Sequence, residues 1–130
     1  MTLTVTLLAA AAAAGLNIWL GYRIAQLREA HKVSVGDGGN EALLRRMRAQ
    51  ANYIENAPFF LILIGGLELS GANRMFLAGT AIVFLAARVA HGIGMDEGVA
   101  KRWRAIGMIS QTIALIALAV DAAIIGFTAL

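Results

Sequence analysis

The sequence contains no cysteine. A disulfide framework, a thiolate nucleophile and a cysteine-ligated metal site are therefore excluded, and the redox compartment is left unmarked. Histidine is almost as scarce, with only His31 and His91, so a metal site is not expected. Charge is sparse as well. Charged residues make up 15% of the chain, against about 25% in ordinary soluble domains. No run of Lys and Arg interleaved with aromatics occurs, which argues against nucleic-acid binding. From Met1 to Tyr22 there is no charged side chain at all. The basic leader of a cleavable signal is thus missing, and the segment reads as a retained membrane helix.

What is present is apolar. Hydrophobic residues are 59% of 130, enough for one domain and not two. They fall into four blocks, which predict spans at about 3–25, 50–69, 73–94 and 105–128. The chain is expected to be all-α, a single integral membrane four-helix bundle over residues 1–130. Gly36-Asp37-Gly38-Gly39 breaks the first helix from the second. Asn40 is the expected N-cap of the second, with Glu41 in its first turn. Ser70-Gly71-Ala72 is the expected tight turn between the second and third.

Lys and Arg are unevenly placed. Arg23, Arg28, Lys32, Arg45, Arg46 and Arg48 flank the first connection, Lys101, Arg102 and Arg104 the third, and Arg74 alone the second. The positive-inside rule then puts the first and third connections in the cytoplasm and both termini outside.

Two blocks are short. Only Asn56 to Leu67 separate Glu55 from Glu68, and only Met75 to Ala87 separate Arg74 from Arg88. Crossing a bilayer takes roughly 20 residues, so Glu55 and Arg88 have to enter the membrane layer. An ionisable group there marks a functional site unless it is a structural pair. Arg48, Asn52 and Glu55 are spaced i, i+4, i+7 and share one helical stripe, as do Arg88, His91 and Met95 at i, i+3, i+7. Counted from the Ser70 turn at about 1.5 Å per residue, Glu55 and Arg88 lie at matching depth, roughly 20 Å away. They are expected to be close, directly or through a shared network. Pro58 reads as a plain kink. His91 reads as an interior hydrogen-bonding histidine, and Trp19, Tyr22 and Trp103 as packing or interfacial residues.

The stretch Arg48-Ala49-Gln50-Ala51-Asn52-Tyr53-Ile54-Glu55, followed by Pro58, resembles the signature Arg-Ala-(His/Gln)-x-Asn-x-x-Glu of the MAPEG family, the membrane-associated proteins of eicosanoid and glutathione metabolism. Arg88-Val89-Ala90-His91 resembles the family's third-helix segment. Arg104-Ala105-Ile106-Gly107-Met108 resembles the opening of its fourth helix, and Val33 to Asn40 the loop of bacterial members. The resemblance implies a homotrimer with glutathione, as co-substrate, bound between neighbouring subunits near the cytoplasmic face. It implies that Arg48, Asn52 and Glu55 hold the tripeptide's polar groups. Arg28, or Arg23 in its place, would meet a carboxylate, and Gln50, Arg88 and His91 would complete the pocket. Arg104 would be the catalytic residue, stabilising the thiolate. The expected protein is a glutathione transferase or peroxidase of a bacterial inner membrane, acting on lipophilic electrophiles or hydroperoxides arriving among membrane lipids. Ala105 stands where the prostaglandin E synthase branch has serine, so isomerase chemistry is not implied. The alternative is a non-catalytic lipid-binding or scaffold member of the family. A small transporter is less favoured, because the first span carries only Asn17 where a mid-membrane carboxylate is usual.

Overall fold

The computed structural model describes residues 2–130. It contains four helices and, among the described residues, no strand: α1 (Thr4–His31), α2 (Glu41–Leu69), α3 (Arg74–Gly94) and α4 (Lys101–Thr128). Neighbours in sequence run antiparallel. α2 and α3 form the centre, and each touches the other three helices, whereas α1 and α4 do not meet.

Local chemistry fixes the helix ends. Asn40 caps α2 as expected, its Oδ1 accepting from Leu43 N at 2.9 Å. Asn73 does the same for α3, accepting from Met75 N and Phe76 N. The turn Ser70-Gly71-Ala72 also forms as expected. Gly71 has φ +80°, a backbone region that a side chain disfavours. α1 lacks a cap of its own, since Leu3 holds the N-cap position. Glu68, at the far end of α2, supplies one instead. It is buried and accepts from Val5 N at 3.0 Å, Thr6 N at 2.8 Å and the Thr6 hydroxyl at 2.7 Å. A carboxylate at a helix N-terminus satisfies orphan N–H groups and complements the helix dipole.

The buried face of α2 runs through Leu43, Ala49, Tyr53, Ala57, Phe60, Ile64 and Leu67, the three-and-four spacing of one helical stripe. It meets Ala9, Ala13, Leu16 and Leu20 of α1, where the alanines permit close approach, and the Leu77, Ala81 and Phe84 side of α3. Phe60 and Phe84 stack with ring centroids 4.0 Å apart. Large apolar side chains also cover the outside, among them Ile18, Ile62, Ile82, Ile113, Ile116, Ile124 and Phe127. A soluble monomer rarely exposes so much apolar surface.

α1, α3 and α4 are each long and apolar enough to cross a membrane. α2 is long enough at 29 residues, but Arg45, Arg46, Arg48 and Glu55 reduce its apolar character. Both α1 and α2 continue beyond the expected spans, to His31 and back to Glu41. The first and third connections lie at one end of the bundle, so the basic residues noted above gather there.

Candidate functional site

The two polar stripes both form, and they face opposite ways. The α3 stripe is internal. Arg88 is 1% exposed and His91 4%. Arg88 Nη1 donates to Gln111 Oε1 of α4 at 2.6 Å, and its Nη2 lies 3.4 Å from His91 Nδ1. The guanidinium also lies 6.0 Å from the centre of the Tyr53 ring. Tyr53 in turn donates its hydroxyl to the Ala13 carbonyl at 2.6 Å. One chain of contacts therefore links α4, α3, α2 and α1 around a buried cation. No carboxylate pairs with it among the described residues, and Arg88 Nε has no partner.

The α2 stripe points outward. Arg48 and Glu55 are exposed and Asn52 is half-buried. Among the described residues neither Arg48 nor Glu55 makes an ion pair. Asn52 Oδ1 is buried and unpartnered. The expected proximity of Glu55 and Arg88 is thus not found. The depth estimate was sound, because Arg88 reaches Tyr53, two residues from Glu55. What it omitted was rotation about the helix axis. Two residues turn a helix by about 200°, so Tyr53 faces the core and Glu55 faces away.

The other expected site residues occupy the same half of the bundle. Gln50 is half-buried and donates to Asn17 Oδ1 of α1 at 3.3 Å. Arg28 is half-buried beside the first loop, near Gly36 O at 3.4 Å and Met47 Sδ at 3.9 Å, and its Nε is buried without a partner. Arg104 is exposed in the first turn of α4. Its backbone is pressed against Gly94, where an added Cβ would come within 2.2 Å of Arg104 N. Arg23, the alternative to Arg28, is committed elsewhere. It is buried, lies 4.6 Å over the Trp19 ring and is ion-paired with Asp96.

Gln111, Tyr53 and Asp96 were not singled out from the sequence. Gln111 had a signal, being a lone amide inside the apolar fourth block. Tyr53 sat within the signature itself. Asp96, in a polar loop, had none, and its two arginine partners are far away in sequence.

The grooves between helices are apolar. One of about 370 Å³ runs between α1 and α2, lined by Ala13, Asn17, Tyr53, Ile54, Ala57 and Pro58. It opens beside the outward stripe, so a polar rim adjoins a hydrocarbon-lined cleft.

The chain is 32% identical over 95 residues to the inner membrane protein YecN of Escherichia coli K12, covering 73% of this chain and 72% of the relative. The YecN of E. coli O6:H1 matches to the same extent. The model of the MAPEG family matches residues 6–124. With four packed helices, three of them apolar enough to cross a membrane, and with Arg48, Asn52 and Glu55 of the signature on one helical face, the chain belongs to the MAPEG family of membrane proteins.

Proposed function

We propose that this protein is a membrane-bound glutathione transferase or peroxidase, assembled as a homotrimer in an inner membrane. In this reading all four helices cross the bilayer, and the end bearing both basic loops faces the cytoplasm. The observation that carries the reading is the outward stripe of α2. Translocon scales put a charged side chain at a helix centre at about +2.5 to +3.5 kcal/mol. Among the described residues Glu55 and Arg48 make no ion pair, and Asn52 Oδ1 is buried without a partner. A second copy packed on this face, with a polar ligand between the two, supplies those partners. The donor set suits a zwitterionic tripeptide. Arg48 and Arg28 offer fork-shaped donors to carboxylates, Glu55 accepts from an ammonium group, and Asn52 does both. Gln50 holds α2 to α1 behind the stripe. Arg88 and His91 back the pocket from the core.

Glutathione supplies the sulfur nucleophile. A free thiol has a pKa near 8.5, and a neighbouring cation lowers it. Arg104, exposed at the same end and always protonated, is the cation this chain offers. The apolar groove beside the stripe gives a lipophilic electrophile or hydroperoxide a lateral approach. The same grooves favour the second reading, a lipid-binding member without turnover.

The test is a thiolate absorbance titration of glutathione on detergent-solubilised protein, with Arg104→Ala and Glu55→Gln alongside. We expect a lowered thiol pKa in the wild type. Arg104→Ala should lose that shift with the oligomer intact, and Glu55→Gln should lose binding. An unshifted thiol at millimolar glutathione refutes the proposal. Retained lipid without turnover of broad electrophiles then selects the second reading.

A further inference from the structure

Asn17 stands near the middle of α1, thirteen residues from Thr4 and fourteen from His31. Between Thr6 and Arg23 it is the one amide or charged side chain. Only half of it is used. Its Oδ1 accepts from Gln50 Nε2 at 3.3 Å, whereas its Nδ2 donates to nothing among the described residues. The amide borders the α1–α2 groove of about 370 Å³, which it shares with the apolar side chains of Ala13, Ala14, Ile54, Ala57 and Leu61. The Tyr53 hydroxyl in the same wall is taken by the Ala13 carbonyl. Polar side chains that line other grooves are satisfied by their own helices. Thr80 donates to Phe76 O, Ser70 to Gly66 O and Thr112 to Met108 O, each at 2.8 Å. Among these groove-lining side chains Asn17 alone keeps unused N–H donors.

We infer that this groove is a binding site for a neutral lipophilic carbonyl compound, a long-chain aldehyde or ketone whose oxygen accepts from Asn17 Nδ2. Small-molecule sites are mostly apolar, with a few placed polar groups that orient the ligand. An alanine-rich wall bearing one amide has that composition. The amide selects the ligand chemistry. Its unused atoms are donors, so the ligand has to bring an acceptor. A hydroxyl brings a donor as well, and with Asn17 Oδ1 engaged by Gln50 the apolar wall leaves that donor unpaired at a cost. A carboxylate carries charge into the bilayer interior, which costs more. A ketone or aldehyde oxygen only accepts. Asn17 is about 20 Å from either end of α1, well below the ester carbonyls of bulk lipid at the headgroup level. A carbonyl compound dissolved in the hydrocarbon layer is therefore the fitting occupant. The groove is the lateral approach described above for an electrophile, and the class of its occupant follows from Asn17 whether or not glutathione binds.

The test uses the protein in lipid nanodiscs without glutathione, so its failure and the failure of the glutathione reading stay distinct. A long-chain methyl ketone carrying a terminal diazirine is photolysed, and the labelled residues are mapped by mass spectrometry. Saturable labelling is expected on the groove walls, at Ile54, Ala57 or Leu61. Unlabelled methyl ketone should displace the probe at a concentration about three- to tenfold lower than the alkane or alcohol of equal length, the size of one hydrogen bond. Asn17→Leu should erase that difference with helical content unchanged. Labelling confined to residues outside the groove, equal displacement by alkane or alcohol, or a ketone preference that survives Asn17→Leu overturns the inference. Should Asn17→Leu fail to fold, Ala14→Leu narrows the groove and keeps the Asn17–Gln50 contact. It is expected to abolish the groove labelling, and labelling that persists overturns the inference equally.

Discussion

The tight contact between α3 and α4 depends on two glycines, and one of them allows a sharp test. An added Cβ at Gly107 would stand 2.5 Å from the Ala87 carbonyl oxygen, 2.6 Å from His91 N and 2.7 Å from His91 Cβ. Two of these atoms are α3 backbone, so no side chain can swing aside to relieve the overlap. Gly107→Ala must push α4 away from α3. Overpacking of this kind typically costs about 1–3 kcal/mol. Alanine returns up to about 1 kcal/mol through its better helix propensity. With the full offset the net expectation is a loss of up to about 2 kcal/mol. Arg88 and Gln111 face each other one turn deeper in the same seam, so their 2.6 Å hydrogen bond should lengthen too. In membranes, small residues set how closely helix backbones approach, and little else compensates when they are enlarged.

The controls make this decisive. Gly15 in α1 and Gly79 in α3 have nothing within 4 Å of an added Cβ. The same substitution there should be neutral or slightly stabilising. Thermal or denaturant unfolding in one detergent, followed by helical circular dichroism, compares all three. A Gly107→Ala protein as stable as Gly79→Ala refutes the packing logic.

The buried cation gives a second expectation. Gln111→Leu should cost more than the double variant Arg88→Met/Gln111→Leu, because the single change strands a buried guanidinium whereas the double change removes the donor as well. A double-mutant unfolding series reads the difference, and additive losses contradict it. At the opposite end, Glu68→Ala should lose about 0.5–2 kcal/mol, the usual size of a helix cap. Hydrogen exchange should quicken at Val5 and Thr6 while α4 stays protected, and unchanged protection there counts against the capping role. Asn40→Ala should cost about 1 kcal/mol by the same reasoning, with early exchange at Leu43 as its signature.

Position along a helix was legible in the sequence, whereas rotation about the helix axis and contacts between distant segments were not. The Gly36–Gly39 break, the Asn40 cap and the Ser70 turn are local events. Each follows from residues within a few positions of itself, and each forms. The depth of Arg88 was also recovered from residue counting alone. Asp96 and Glu68 were opaque for a different reason. Each satisfies groups in helices far away in the chain, and no local pattern announces a partner. Even so, α1 carried half a signal, because a helix opening at Leu3 with no polar cap leaves N–H groups that something else must meet.

Rotation matters most at Glu55. With a heptad-like spacing, Arg48 and Glu55 were known to share a stripe, but the stripe's direction depends on which neighbouring residues claim the core. Tyr53 has the larger claim. Its ring fills the space between α1 and α3, and its hydroxyl finds the Ala13 carbonyl at 2.6 Å, satisfying a polar group that burial would otherwise penalise. Rotating α2 to bring Glu55 toward Arg88 would expel that ring and, with it, the alignment of Phe60 on Phe84. A single ion pair does not offset that loss, since desolvation consumes much of its Coulombic gain. The core therefore keeps tyrosine and phenylalanine and leaves Arg88 to an amide. Among the described residues Glu55 is left exposed and without an ion-pair partner.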